Sequence, residues 1–159
     1  LPMSIEPVIR SATLEDLASM IELDVAARES LVTQRGGPSW LVEHAPASEL
    51  NPDDLVGNSW VGTVDEHVVG FLHCEYDDVP HHGLVCSVER VFVDAHAREL
   101  GFGDALLQQA IDHATQMGCV VIEGNALPGD RETKNLYERA GIVARKIIVS
   151  RRLNSLPQD

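Results

Sequence analysis

Arg98, Gly101 and Gly103 are the residues whose types and spacing most directly imply chemistry. They close the run Val91-Phe92-Val93-Asp94-Ala95-His96-Ala97-Arg98-Glu99-Leu100-Gly101-Phe102-Gly103, in which a β-rich stretch ends, a short loop turns and a helical pattern begins. Free backbone N–H groups at a helix start, with a dipole behind them, attract an anion, and glycines let it come close to the backbone. The implied ligand is a pyrophosphate or a similar anion. The P-loop is excluded because Gly103-Asp104-Ala105 lacks its lysine. The dinucleotide fingerprint is excluded by spacing. A glycine-rich turn that only caps a helix has the same spacing, so the residues alone leave both readings open.

The elements that must hold this run follow from periodicity. Val8–Arg10 reads as a strand, and Leu14, Leu17, Ala18, Ile21 and Val25 predict an amphipathic helix over 14–30, capped at Thr13. Residues 33–58, with Gly36, Gly37, Pro38, Pro46 and Pro52, read as irregular with a short helix near 40–45. Trp60–Val64 and Val68–Glu75 form a hairpin around Asp65-Glu66-His67, and 77–83 read as a loop. Leu84–Val93 is a strand with Val91 and Val93 on one face, where strict alternation also puts Glu89. Leu106, Leu107, Ala110, Ile111 and Ala114 predict a helix over 102–117, ended by Gly118. A strand at 120–123, a helix from Asp130 to Ala140 and a last strand at 142–153 complete an α/β order.

Composition narrows the function. The chain has 159 residues with 25 acids against 12 bases, a net charge of −13, which disfavours nucleic acid and anionic membranes as partners. The charge is split: residues 1–80 sum to −12 and 81–159 to −1. No apolar run reaches the ~20 residues of a bilayer span, and the first residues lack the pattern of a signal peptide. Cys74, Cys86 and Cys119, an odd and widely spaced set, point to reduced thiols and a cytoplasmic setting. No zinc-binding spacing occurs, and the seven histidines, among them adjacent His81 and His82, read as solvated or packed, so no metal is expected.

Arg98-x-x-Gly101-x-Gly103 after Val91-Phe92-Val93 resembles motif A of the GCN5-related N-acetyltransferases (GNAT), and Asn135-Leu136-Tyr137-Glu138-Arg139-Ala140-Gly141 resembles their motif B. Val61–Leu72 is similar to the family's second and third strands, and Val8–Val25 to its first strand and helix. The resemblance implies one domain over residues 5–153 with tails at 1–4 and 154–159. It also implies a mixed, mostly antiparallel central sheet flanked by helices, here one strand short at its C-terminal end, with a homodimer covering the open edge.

The implied reaction is direct transfer of an acetyl group from acetyl-CoA to a primary amine. By the resemblance, the backbone of Arg98, Glu99, Leu100, Gly101, Phe102, Gly103 and Asp104 cradles the CoA pyrophosphate, Phe92 and Val93 pair with the pantetheine arm, and Asn135 is a further contact. Arg131 and Lys134 are within reach of the adenosine phosphates, or are ordinary surface. Tyr137 stands where a phenol protonates the leaving thiolate. Glu123 and Glu89 are the candidate bases; Ser87 occupies the place where other relatives carry a catalytic glutamate. Trp40, Glu43, Trp60, Glu75, Asp77 and Asp78 are candidate acceptor lining, and the acidic N-terminal half favours a cationic acceptor. The alternative is a non-catalytic acyl-CoA-binding module, which keeps Arg98–Gly103 and needs no acid.

Overall fold

The computed structural model describes residues 7–154. The expected tail at 1–4, and all of the expected tail at 154–159 except Asn154, lie outside the described residues. Five strands form one sheet in sequence order: β1 (Val8–Ser11), β2 (Ser59–Val64), β3 (His67–Val79), β4 (Gly83–Val93) and β5 (Val121–Gly124). The first four run antiparallel and β5 joins β4 in parallel. This is the mixed, mostly antiparallel sheet that the sequence implied.

Alternation along the strands divides the core in two. Trp60, Leu72, Cys74, Cys86 and Val88 face α4 (Phe102–Gln116) and α5 (Arg131–Arg139), packing on Leu106, Leu107, Ala110 and Leu136. Val61 and Phe71 point the other way. They pack on Met20 and Leu23 of α1 (Leu17–Leu31) and on Leu55 of α3 (Pro52–Gly57). A further helix, α2 (Gly37–Glu43), follows α1.

Several sequence expectations are corrected. Residues 33–58 hold two α-helices and a short 3-10 helix (Ala47–Glu49), not one helix; α3 starts on Pro52, which needs no N–H there, and the Asn51 side chain accepts from the Asp54 N–H at 3.1 Å. The expected loop over 77–83 is mostly strand. Asp77 pairs Val85, Asp78 pairs Leu84 and Val79 pairs Gly83, so only Pro80–His82 turn. Trp60 does not face an acceptor: it is buried and packs edge-on against His113 with centroids 5.1 Å apart. The last strand at 142–153 is not formed; these residues join no sheet. A β-rich run needs a partner as well as propensity. Here the segment runs towards α2, where Arg152 Nη2 donates to Ser39 Oγ at 3.5 Å.

His73 on β3 is a buried polar group held by a relay: its Nδ1 lies 2.9 Å from Ser59 Oγ, which donates to the Leu55 carbonyl. Burial, then the charge of Arg90, lowers its pKa below the ordinary 6.5. The unfolded chain takes up a proton near that value and the folded chain resists it. Stability is therefore full above pH 6.5 and falls as pH drops towards the folded pKa. The thermal midpoint is expected to decline between about pH 7.5 and about pH 5.5, with a shallower slope in His73→Gln. An unchanged slope in the variant refutes the assignment.

Candidate active site

The site begins where two strands part. β5 pairs β4 only from Val85↔Val121 to Val88↔Gly124, after which the chain turns away. On the other side of β4, Cys74 pairs Val88 and His73 pairs Arg90, so Glu89 has no partner and forms a bulge. The bulge corrects the strict alternation expected for β4. Val91 and Val93 join the α4-side core with Val88, while Glu89 shares a hollow with Ser87. Beyond Val88, β4 leaves the edge of Glu89–Val93 unpaired by β5, and a cleft of about 810 Å³ opens there.

The N-terminus of α4 forms one wall. Gly101 takes a left-handed conformation (φ 88°), which lets the chain turn abruptly into the helix. The Ala105 N–H makes the first helical bond to the Gly101 carbonyl. The N–H groups of Phe102, Gly103 and Asp104 precede it and have no helical acceptor. Arg98 lies beside them with its guanidinium 5.5 Å from the Phe92 ring centroid and its Nε donating to the Val93 carbonyl at 3.2 Å. Asp104 is held by Arg139 of α5 at 3.0 Å. The Phe102 side chain points away into the core, so only its backbone can serve a ligand.

Tyr137 projects from α5 onto the fork itself. A Cβ on Gly124 would collide with its hydroxyl, so glycine at the last paired position of β5 is what admits the ring. The residue is buried yet lines the cleft. Burial first, then the charges of Cys74, Glu89 and Asp130, pushes its pKa above the ordinary 10, so the phenol keeps its proton at neutral pH.

A second hollow of about 540 Å³ adjoins the fork through Glu89, which lines both. Glu75, Ser87 and Glu123 stand in one cross-strand row, and Asp77 is one row along. All four line this hollow. On the opposite side the cleft meets α1 and α2. Arg90 Nη1 donates to Asp24 Oδ1 at 2.8 Å and Arg90 Nη2 to the Ala45 carbonyl, while Asp24 Oδ2 accepts from the Ala47 N–H at 2.8 Å. Arg28 donates to the His44 and Leu41 carbonyls, and Trp40 stacks on His44 at 4.2 Å.

With this geometry in place, the sequence can be set beside known proteins. Residues 21–142 match the model of the acetyltransferase (GNAT) family. The chain belongs to the GNAT family. The GNAT family is one of acetyltransferases.

Solved structures share the GNAT fold at low identity. A ribosomal-protein-alanine N-acetyltransferase from Brucella melitensis biovar Abortus 2308 is 18% identical, with a TM-score of 0.67, over 93% of this chain and 98% of its own. The aminoglycoside N-acetyltransferase AAC(6')-Iy in complex with CoA is 19% identical, with a TM-score of 0.67, over 97% and 99%. An aminoglycoside acetyltransferase from an uncultured soil metagenomic sample is 17% identical, with a TM-score of 0.69, over 93% and 95%. At these identities the likeness is one of fold. No curated protein matches the chain in sequence.

The GNAT cleft has the features an acyl-CoA needs: an open helix start for phosphate, an unpaired strand edge for amides, and a volume of ligand size. Glu89, Phe92, Val93, Arg98, Glu99, Gly101, Phe102, Gly103, Asp104, Asn135 and Tyr137 all line it. Leu100 does not, and Glu123 lies in the adjoining hollow. Arg131 and Lys134 are exposed and line neither. Of the candidate acceptor residues, Trp40 lines the cleft, Glu75 and Asp77 line the hollow, and Glu43 and Asp78 line neither. Sequence reasoning missed Arg139, although helical spacing from Leu136 puts it on the same face, and it missed the Asp24–Arg90 pair. Among the described residues, no group of three His, Cys, Asp or Glu side chains is placed to hold a metal ion.

Proposed function

We propose that this GNAT protein transfers an acetyl group from acetyl-CoA to a primary amine of a cationic small-molecule or peptide acceptor by direct attack. Bound acetyl-CoA supplies the activated thioester. The α4 N-terminus and Arg98 hold its phosphates, the free edge at Phe92 and Val93 pairs with its arm, and Asn135 adds a contact. Glu89 takes the proton that the attacking nitrogen loses, with Glu123 as an outer acceptor in the hollow. Tyr137 donates its hydroxyl proton towards the departing sulfur as negative charge develops there. The observation that carries this reading is the placement of Tyr137 and Glu89 at one fork, where β4 and β5 part.

Three carboxylates in the hollow beside Glu89 (Glu75, Asp77 and Glu123), and the −12 of residues 1–80, support a positively charged acceptor rather than a nucleic acid. The reading takes residues 5–153 as one acetyltransferase domain. Free Cys74, Cys86 and Cys119 fit a cytoplasmic setting.

Thiol release from acetyl-CoA, measured over polyamines, aminoglycosides, amino acids and peptides, tests the reaction. Turnover with at least one amine is expected. Protection against heat by CoA without turnover on any amine would instead favour a binding module. With an accepted polycation, KM is expected to rise several-fold between about 0.05 and about 0.5 M salt while kcat holds. A flat response removes the charge argument.

A further inference from the structure

Four arginines line the cleft, and three of them meet a carboxylate. Arg90 is paired with Asp24 at 2.8 Å, Arg98 with Glu132 at 3.4 Å and Arg139 with Asp104 at 3.0 Å. Arg28 is the exception: among the described residues it has no ion pair. Asp24, one turn earlier on α1, is already engaged by Arg90 and by the Ala47 N–H. Arg28 is held instead by the end of α2. Its Nη1 donates to the His44 carbonyl at 2.8 Å and its Nη2 to the Leu41 carbonyl at 3.3 Å, with the guanidinium 5.9 Å from the Trp40 ring centroid. Carbonyl dipoles and an aromatic face orient the group without neutralising it. A guanidinium carries more N–H donors than these bonds use, so some are left for a ligand.

The charges around the fork are arranged in order. Arg28 lines the cleft and not the hollow, Glu75, Asp77 and Glu123 line the hollow and not the cleft, and Glu89 lines both. An acceptor whose amine reaches Glu89 therefore has anionic side chains on one side and an uncompensated cation on the α1 wall. The CoA phosphates have Arg98 and the α4 N-terminus. The planar fork of Arg28 suits a carboxylate, which it can bind through paired N–H groups.

We infer that Arg28 receives a carboxylate of the acceptor, which makes the acceptor a basic amino acid. Its α-amine reacts at Glu89, its side-chain cation faces the hollow and its carboxylate meets the Arg28 fork. The inference rests on the acetyl-transfer reading for the fate of the amine, and on Arg28 for the carboxylate.

Lysine and lysinamide, and arginine and argininamide, form pairs that differ in the carboxylate. The readout is the ratio of kcat/KM for each acid to that for its amide, in the native protein and in Arg28→Met. Differences in amine reactivity within a pair are common to both proteins and cancel. The ratio is expected to fall about tenfold or more in Arg28→Met. It is expected to recover in part in Arg28→Lys, which keeps the charge and loses the planar fork. A variant that is only less well folded loses activity on both members alike and keeps the ratio. An unchanged ratio in Arg28→Met overturns the inference. Loss of heat protection by CoA in that variant also overturns it, because the arginine then serves the cofactor.

The native protein gives a second readout should the variants misfold. In calorimetric titration of the CoA-bound protein, lysine or arginine is expected to bind about tenfold or more tightly than its amide. That preference without turnover leaves the inference standing and removes the transfer reading. Turnover without the preference does the reverse. Equal or weaker binding of both acids, or none, overturns the inference.

Discussion

Tyr137→Phe is expected to lower kcat by about a hundredfold or more while leaving CoA binding intact. The substitution keeps the ring that packs beside Leu136 in the α4-side core and removes only the hydroxyl at the fork. Because burial raises the pKa of that hydroxyl, it is a weaker acid than a thiol. Its contribution is therefore a hydrogen bond that strengthens as charge reaches the sulfur, an effect confined to the transition state. Such a loss falls on kcat and kcat/KM together and spares protection by CoA against heat. The same pKa direction bears on pH. The phenol keeps its proton up to and beyond pH 10, so Tyr137 puts no alkaline limb on kcat below that value. Gly124→Ala provides an independent route to the same defect, since the new methyl would displace the hydroxyl without removing it. A kcat within about a factor of three of the native value in Tyr137→Phe excludes the residue as acid.

Tyr137, Arg98, Gly101 and Gly103 were legible in the sequence because their signals are local. A strand, a glycine turn and an apolar stripe follow one another within a few residues, and the resemblance around Leu136-Tyr137-Glu138 supplied the second half of the cleft. What was not legible depends on pairing between distant segments. Glu89 changes faces because β3 and β4 slip by one residue, and a slip cannot be read from the alternation of one strand. Asp77 and Asp78 look like loop residues, yet pairing with Val85 and Leu84 extends the hairpin through them. The run 142–153 has the composition of a strand and lacks a partner within the chain, a distinction propensity does not carry.

The buried pair of Asp24 and Arg90 lies 66 residues apart in sequence and had no local signal at all. Its loss is expected to have the largest effect on stability of any single substitution at the cleft. The two side chains are 5% and 8% exposed, and Asp24 also accepts from the Ala47 N–H. Asp24→Ala therefore leaves a guanidinium buried without its counter-charge and a backbone donor without its acceptor. Breaking one side of such a pair costs about 3–5 kcal/mol, which for a chain of this size lowers the thermal midpoint by roughly 10 °C. The pair itself need not stabilise the fold relative to apolar residues of similar volume, because its attraction is offset by desolvation. Asp24→Leu with Arg90→Met is thus expected to recover most of the lost stability. That recovery separates a stranded charge from a loss of packing: a double variant no more stable than Asp24→Ala would show that the pair supports the fold in its own right. The double variant also releases the segment at Ala45 and Ala47, Ala45 from β4 and Ala47 from α1. Trp40 and His44 sit next to that segment on the α2 wall of the cleft, so KM for the acceptor is expected to rise while CoA binding holds.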